Sequence, residues 1–269
     1  FDDKLKISKY VNNIGIWYWK DYDYSKAIDY YNESLLIKEE LGDTRNYGKT
    51  LNNMGQAYYD MGDFSSSIEY FNQSIELKEK LNDKKGLQAT LLNLGEAYFD
   101  NDDYDHALSH FRKSLNIARA FGVIYDISDR YTAIGMTHFN LANYDSATYY
   151  LTMADSIYIE YPTNRLTILS WLAITSIKDG NTQRAKTYVN ELEEIFSSND
   201  PLKEDIITLN WNMYRVHQLL GKTKAAKEYL ENSYLELKYR SKNIKDKKDR
   251  EKYLSVKLNQ DIAAAWVAL

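Results

Sequence analysis

The chain has 269 residues, enough for one or two globular domains, and its 44% apolar and 27% charged residues with only 2 prolines suit a helical, soluble protein. Cysteine is absent, which excludes disulfide staples and the common thiolate metal sites and leaves the compartment open. The net charge of -5 conceals an asymmetry: 22 Lys and Arg face 32 Asp and Glu in residues 1–220, whereas 12 face 7 in residues 221–269.

Apolar residues at helical spacing predict a first hairpin over 3–41, with Val11, Ile14, Gly15 and Tyr18 on one packing face and Tyr24, Ala27 and Tyr31 on the other. A second follows over 44–81. There Gly55 interrupts the run Leu51, Met54, Tyr58, at a cost of about 1 kcal/mol relative to alanine, so it needs a packing reason. Small Ser67, within the run Phe64, Ile68, Phe71 and Ile75, is the expected facing residue, and Gly62-Asp63 supplies the turn. Tyr22 replaces that turn glycine in the first hairpin. The third hairpin covers 84–121, and a drifted fourth, with His138 and Ala142 in altered columns, covers 124–160.

These hairpins repeat every 40 residues. Gly15, Gly55, Gly95 and Gly135 form one column, and Ala27, Ser67, Ala107 and Ala147 a second. Others are Tyr24, Phe64, Tyr104, Tyr144; Tyr31, Phe71, Phe111, Leu151; Ser34, Ser74, Ser114, Ala154; and Tyr18, Tyr58, Tyr98, His138.

Pro162 is expected to close this block, because proline interrupts helical hydrogen bonds. Two weaker hairpins follow, marked by Gly180 with Ala185 and by Gly221 with Ala226, with Ala173 and Tyr214 in the packing-glycine column. Between them Asp200-Pro201 suggests an N-cap and a first-turn proline. Nine basic residues lie between 238 and 257, before a final IAAAWVAL. One helix from about 246 is expected, its Tyr253, Leu254, Leu258, Ile262 and Trp266 facing the last hairpin and covering the open end of the array. The other reading is that it leads into a transmembrane or signalling helix.

The organisation is thus four regular hairpins over 1–161, two divergent ones over 162–241 and a basic capping or linker helix over 242–269, in one continuous domain. No segment approaches the roughly 20 apolar residues of a membrane span. The first residue is Phe1 rather than Met, which leaves a signal peptide or anchor upstream open; a cytoplasmic location is the expectation.

A small-Gly pair on the first helix and two aromatic-x-x-small steps on the second resemble the tetratricopeptide repeat, strongly over residues 8–161. The 40-residue spacing is similar to that of kinesin light chain and Pins-type adaptors. The proline that usually closes the second helix is missing, and Leu-Gly-Asp at 41–43 and Leu-Asn-Asp at 81–83 follow longer helices instead. The resemblance implies an all-α fold, a right-handed α-α superhelix of about six helical hairpins plus a C-terminal helix, whose first helices line a concave groove.

By that resemblance one groove column holds Asn13, Asn53, Asn93 and then Ala133, and another Gln56, Glu96 and Met136. A third holds Trp19, Tyr59, Phe99 and Phe139, and a fourth Lys20, Asp60, Asp100 and Asn140. An asparagine amide both donates and accepts, so a ladder of them can pair with the backbone of an extended peptide. Asp60, Glu96 and Asp100 are expected to make an acidic floor, with Lys178 and Arg215 basic further along, which suits a ligand with basic and apolar side chains early in the groove. The Lys/Asn clamp by which chaperone cofactors hold a C-terminal carboxylate is not matched, because Ile16 stands where its asparagine belongs.

Nothing else in the sequence assembles chemistry. The triplets at 48–50 and 221–223 read Gly-Lys-Thr, but a phosphate loop needs a glycine where Asp43 and Val216 stand. His106 and His110 have a one-face metal spacing without an identifiable third ligand, and His138 and His217 fall in packing columns. No nucleophile accompanies a base, so no catalytic residue, metal or cofactor is expected. In the basic tail Asp246, Asp249 and Glu251 sit at pairing distance from lysines, which favours a solvated helix over nucleic acid or anionic membrane.

The expected function is a non-catalytic scaffold binding a protein or peptide segment. The alternative is a sensory module of a larger bacterial signalling protein, with a histidine kinase, cyclase or DNA-binding output domain elsewhere in the chain. A Rap-like phosphatase activity toward response regulators is a third reading, disfavoured because no distinct N-terminal helical bundle is legible.

Overall fold

An aspartate recurs every twenty residues at 23, 43, 63, 83 and 103, and each caps the helix that follows it. Their carboxylates accept from the backbone N–H of Lys26, Asn46, Ser66, Gly86 and His106. Each such cap contributes about 1 kcal/mol and fixes where a helix begins. In the computed structural model, which describes residues 2–159, 165–198 and 206–269, these caps open α2 (Tyr24–Leu41), α3 (Thr44–Asp60), α4 (Phe64–Lys80), α5 (Lys84–Asp100) and α6 (Tyr104–Phe121), after α1 (Asp2–Lys20). The series lapses at Val123 and Asn143, which make no side-chain cap, before α7 (Ile124–Asn140) and α8 (Tyr144–Ile157). Next come α9 (Leu166–Lys178), α10 (Thr182–Ser198), α11 (Ile206–Leu219), α12 (Thr223–Asn243), α13 (Lys247–Ser255) and α14 (Lys257–Val267), with no strand among the described residues. Pro162 and Asp200-Pro201 lie outside the described residues.

Helices α1 and α2, α3 and α4, α7 and α8, and α9 and α10 pair as hairpins, and a large side chain of the second helix explains the glycine column. A Cβ at Gly15, Gly55 or Gly95 would stand 2.6, 2.6 or 2.4 Å from the ring of Tyr31, Phe71 or Phe111, and one at Gly135 would stand 2.7 Å from Leu151. The small column does face the glycine in the first hairpin, where the Ala27 carbonyl stands 3.2 Å from the Cβ position of Gly15, but the ring is nearer than the small residue, an addition to the expected pairing of Gly55 with Ser67. Ser67 is fully buried, like Ala27, Ala107 and Ala147, but the glycine makes room for the ring one helical turn further on. A second clasp joins stacked rings twelve residues apart: Tyr18 on Tyr30 at 5.2 Å, Tyr58 on Tyr70 at 5.3 Å, Tyr98 on His110 at 5.4 Å, His138 on Tyr150 at 5.6 Å and His217 on Tyr229 at 5.2 Å.

Packing divides the chain into two compact units, residues 1–117 with 239–260 and residues 118–238 with 261–269. In the first, the chain's late residues lie on its earliest hairpins. Ile244 is fully buried with Tyr24 and Met61, and Tyr253 packs against them. Lys252 Nζ meets Asp63 Oδ2 at 2.5 Å, and Ser25 Oγ donates to Asp249 Oδ2 at 2.7 Å. Gly62, at φ +85°, has room for this segment: a Cβ there would stand 2.8 Å from Val256 Cγ2.

The expectation of one helix from about 246 is corrected, and its facing of the last hairpin holds for Trp266 but not for Tyr253. The helix breaks at Val256, whose ψ is 133°, and the Asn259 amide there donates to the Tyr253 carbonyl at 2.7 Å. Tyr253 belongs to the first two hairpins, whereas Trp266 stacks on Tyr234 of α12 at 5.0 Å in the second unit. That unit also holds α9, buried over almost its whole circumference from Leu166 to Ser176. Among the described residues no helix is long and apolar enough to cross a membrane.

Candidate ligand groove

Helices α1, α3 and α5 repeat one face in the first unit, and the residues on it are bonded from repeat to repeat. Trp19 Nε1 donates to Asp60 Oδ2 at 2.6 Å, and Gln56 Nε2 donates to Asp60 Oδ1 at 2.9 Å. Burial pushes the Asp60 carboxyl up to about 6, against those two bonds, which favour its charge. One repeat on, Tyr59 donates its hydroxyl to Asp100, and burial raises the phenol well above its ordinary range, with Asp100 and Glu96 adding to the rise.

Asp60 and Asp100 are therefore rungs between hairpins. The third such rung is not built: Phe99 lacks a hydroxyl and meets Tyr104 edge-on at 5.6 Å. In the second unit Asn140 turns its amide to the Met136 carbonyl at 3.1 Å. Phe139 is buried there, edge-on to Trp171 at 5.2 Å and beneath the Arg215 guanidinium at 5.6 Å. Burial lowers the pKa of Arg215, and Asp261 counters this.

The asparagines form a denser set than the Asn13, Asn53 and Asn93 column alone. Asn12 Oδ1 accepts from Thr50 Oγ1 at 2.9 Å and from Asn53 Nδ2 at 3.4 Å. Forty residues on, Asn52 Oδ1 accepts from Thr90 Oγ1 at 2.8 Å and from Asn93 Nδ2 at 3.4 Å. Each threonine in turn accepts from a buried lysine of a second helix, Thr50 from Lys38 and Thr90 from Lys78. Asn12, Asn13, Asn46, Asn52 and Asn53 line a cavity of about 430 Å³ that these lysines also reach.

Sequence reasoning missed Asn12, Asn52, Lys38 and Lys78, although the pairs Asn12/Asn52, Lys38/Lys78 and Thr50/Thr90 each recur at the 40-residue period. The histidine rings lie on aromatic neighbours, and exposed His106 also bonds Asp103 through Nδ1 at 2.8 Å. His106 and His110 both stack on Tyr98, at 5.1 and 5.4 Å, and burial holds His110 down to about 4.

Family models of the tetratricopeptide repeat match residues 7–80 and 87–123. No curated protein matches the chain in sequence. Among solved structures, RapI in its apo form is similar with a TM-score of 0.77 at 17% identity, over 97% of this chain and 99% of that one. Aspartyl phosphate phosphatase F from Bacillus subtilis gives 0.76 at 17% identity, over 99% of this chain and 70% of that one. The Rap conjugation gene regulator of the plasmid pLS20, in complex with the Phr* peptide, gives 0.66 at 17% identity, over 99% and 77%. At these identities the likeness is one of fold.

Proposed function

Because this chain is a tetratricopeptide-repeat protein, we propose that it is a non-catalytic binding module that holds an extended peptide segment along α1, α3 and α5. The observation that supports this best is the cavity lined by five asparagines on α1 and α3, with Asn93 continuing the series on α5. Asn53 and Asn93 each give one N–H to the preceding repeat and keep a carbonyl and a second N–H for a peptide backbone. The fold neighbour solved with the Phr* peptide supports the same use of the fold. A binding rather than a catalytic role is supported by the carboxylates of this face, since Asp60 and Asp100 are engaged by Trp19, Gln56 and Tyr59.

The test is selection of peptides from a random displayed library, followed by titration of a selected peptide against Asn53→Ala and Asn93→Ala. Each variant should weaken binding about tenfold, the loss of one or two buried hydrogen bonds, while its helical circular dichroism is unchanged. Unchanged affinity in both would remove the ladder from the binding surface.

A further inference from the structure

The cavity between α1 and α3 is cationic. Lys9, Lys38, Lys49 and Lys78 reach it together with Thr50 and the five asparagines, and among the described residues no acidic one lines it. Two of these lysines are an unusual expense for a fold: Lys38 is 3% and Lys78 5% exposed, and lysine is almost never buried unless it is paired. Their ammonium groups each donate one bond, to Thr50 and Thr90, out of three available donors. The nearest acids, Asp43 and Asp83, attract these lysines without an ion pair among the described residues. Asp43 takes the backbone N–H of Asn46 at 3.3 Å and its amide at 2.7 Å, and Asp83 caps α5 through Gly86 N at 3.0 Å.

Burial pushes both Lys38 and Lys78 down to about 8; Asp43 and Asp83 resist this, and Lys49 repels both. Lys9 and Lys49, exposed at the rim, form no ion pair among the described residues. Like charges held together without a lining carboxylate oppose folding, and an anion between them relieves both repulsion and desolvation.

We propose that this cavity is an oxyanion site, in which Lys38, Lys49 and Lys78 with the asparagine amides hold a carboxylate or phosphoryl group of the bound ligand. Taken with the peptide-binding reading, on which this identification of the ligand rests, it specifies a peptide with an acidic or phosphorylated residue over the first two hairpins. That reverses the ligand charge expected from Asp60 and Asp100. It differs from a terminal-carboxylate clamp on first helices, because its two buried cations come from second helices, α2 and α4.

The experiment is calorimetric titration of the full chain with inorganic phosphate and, separately, with N-acetylglutamate amide, using chloride at matched ionic strength as the reference. Saturation by phosphate alone specifies a phosphorylated ligand, and saturation by both an acidic one. Lys49→Ala, at an exposed position, should weaken either at least tenfold, and Lys38→Met should abolish it. Lys80→Ala, outside the cavity, should leave it unchanged. A response indistinguishable from chloride, or equal binding by wild type, Lys49→Ala and Lys38→Met, overturns the site. Anion binding by a chain that selects no peptide would refute the groove reading and leave the site standing. A selected peptide indifferent to Lys49→Ala and Lys38→Met would do the reverse.

Discussion

Ser67 shows how closely single positions are held by the repeat. Its hydroxyl is buried without a hydrogen-bond partner among the described residues, and the matching positions are Ala27, Ala107 and Ala147. A buried hydroxyl left unsatisfied costs about 1–3 kcal/mol, and removing it leaves a methyl that the site already accommodates in three copies. Ser67→Ala should therefore raise the free energy of unfolding by about 1 kcal/mol in urea titrations. A loss of similar size would mean that the hydroxyl has a partner. The neighbouring serine column behaves oppositely, because Ser34, Ser74 and Ser114 each donate to a carbonyl of the facing helix, at 2.8, 2.7 and 2.7 Å. The fourth copy has Ala154 there, and the hydroxyl has crossed to the other helix: Ser128 donates to the Ala154 carbonyl at 3.0 Å.

At the scale of the helix pair, the glycine column is a contact rather than a flexible joint. Glycine within a helix costs about 1 kcal/mol against alanine, so Gly95→Ala would stabilise the third hairpin if nothing touched it. A Cβ there stands 2.4 Å from Phe111, whose ring is itself buried, so the pair must separate or the ring leave its rotamer. Overpacking of this kind costs about 1–3 kcal/mol, which outweighs the propensity gain. Gly95→Ala should be destabilising by denaturant titration, and Gly95→Leu more so; a stabilised Gly95→Ala would refute the ring contact.

The hairpins were legible in the sequence because their columns obey one period, and so were the turns and the packed rings of His138 and His217. The nearest contact of the glycine was not, since Phe71 and Ser67 share a helix face and spacing alone does not say which of them comes closer. Lys38 and Lys78 resembled ordinary solvated charges near the ends of amphipathic helices. Asp60 and Asp100 looked like free groove acids because their partners Trp19 and Tyr59 stand 41 residues away, in another repeat.

For the whole chain the consequential feature is that residues 239–260 belong to the unit built from residues 1–117. The contacts that tie them, Ser25 with Asp249 and Asp63 with Lys252, span roughly two hundred residues and follow no repeat, which is why periodicity gave no warning of them. Their anchor is Ile244, fully buried beside Tyr24 and Met61. Truncating such a side chain to alanine costs about 2–5 kcal/mol through lost burial and the cavity left behind. Because that cavity opens onto the turns of the first two hairpins, Ile244→Ala should weaken α1–α4 as well as the segment that carries the substitution. Hydrogen exchange followed by mass spectrometry separates these effects, since amides protected through sub-global opening report the stability of their own cooperative unit. The expected result is faster exchange in residues 239–260 and in hairpins α1/α2 and α3/α4, with α7–α11 little changed. Faster exchange confined to 239–260 would show that the returning segment is a passenger on the first unit rather than part of its core.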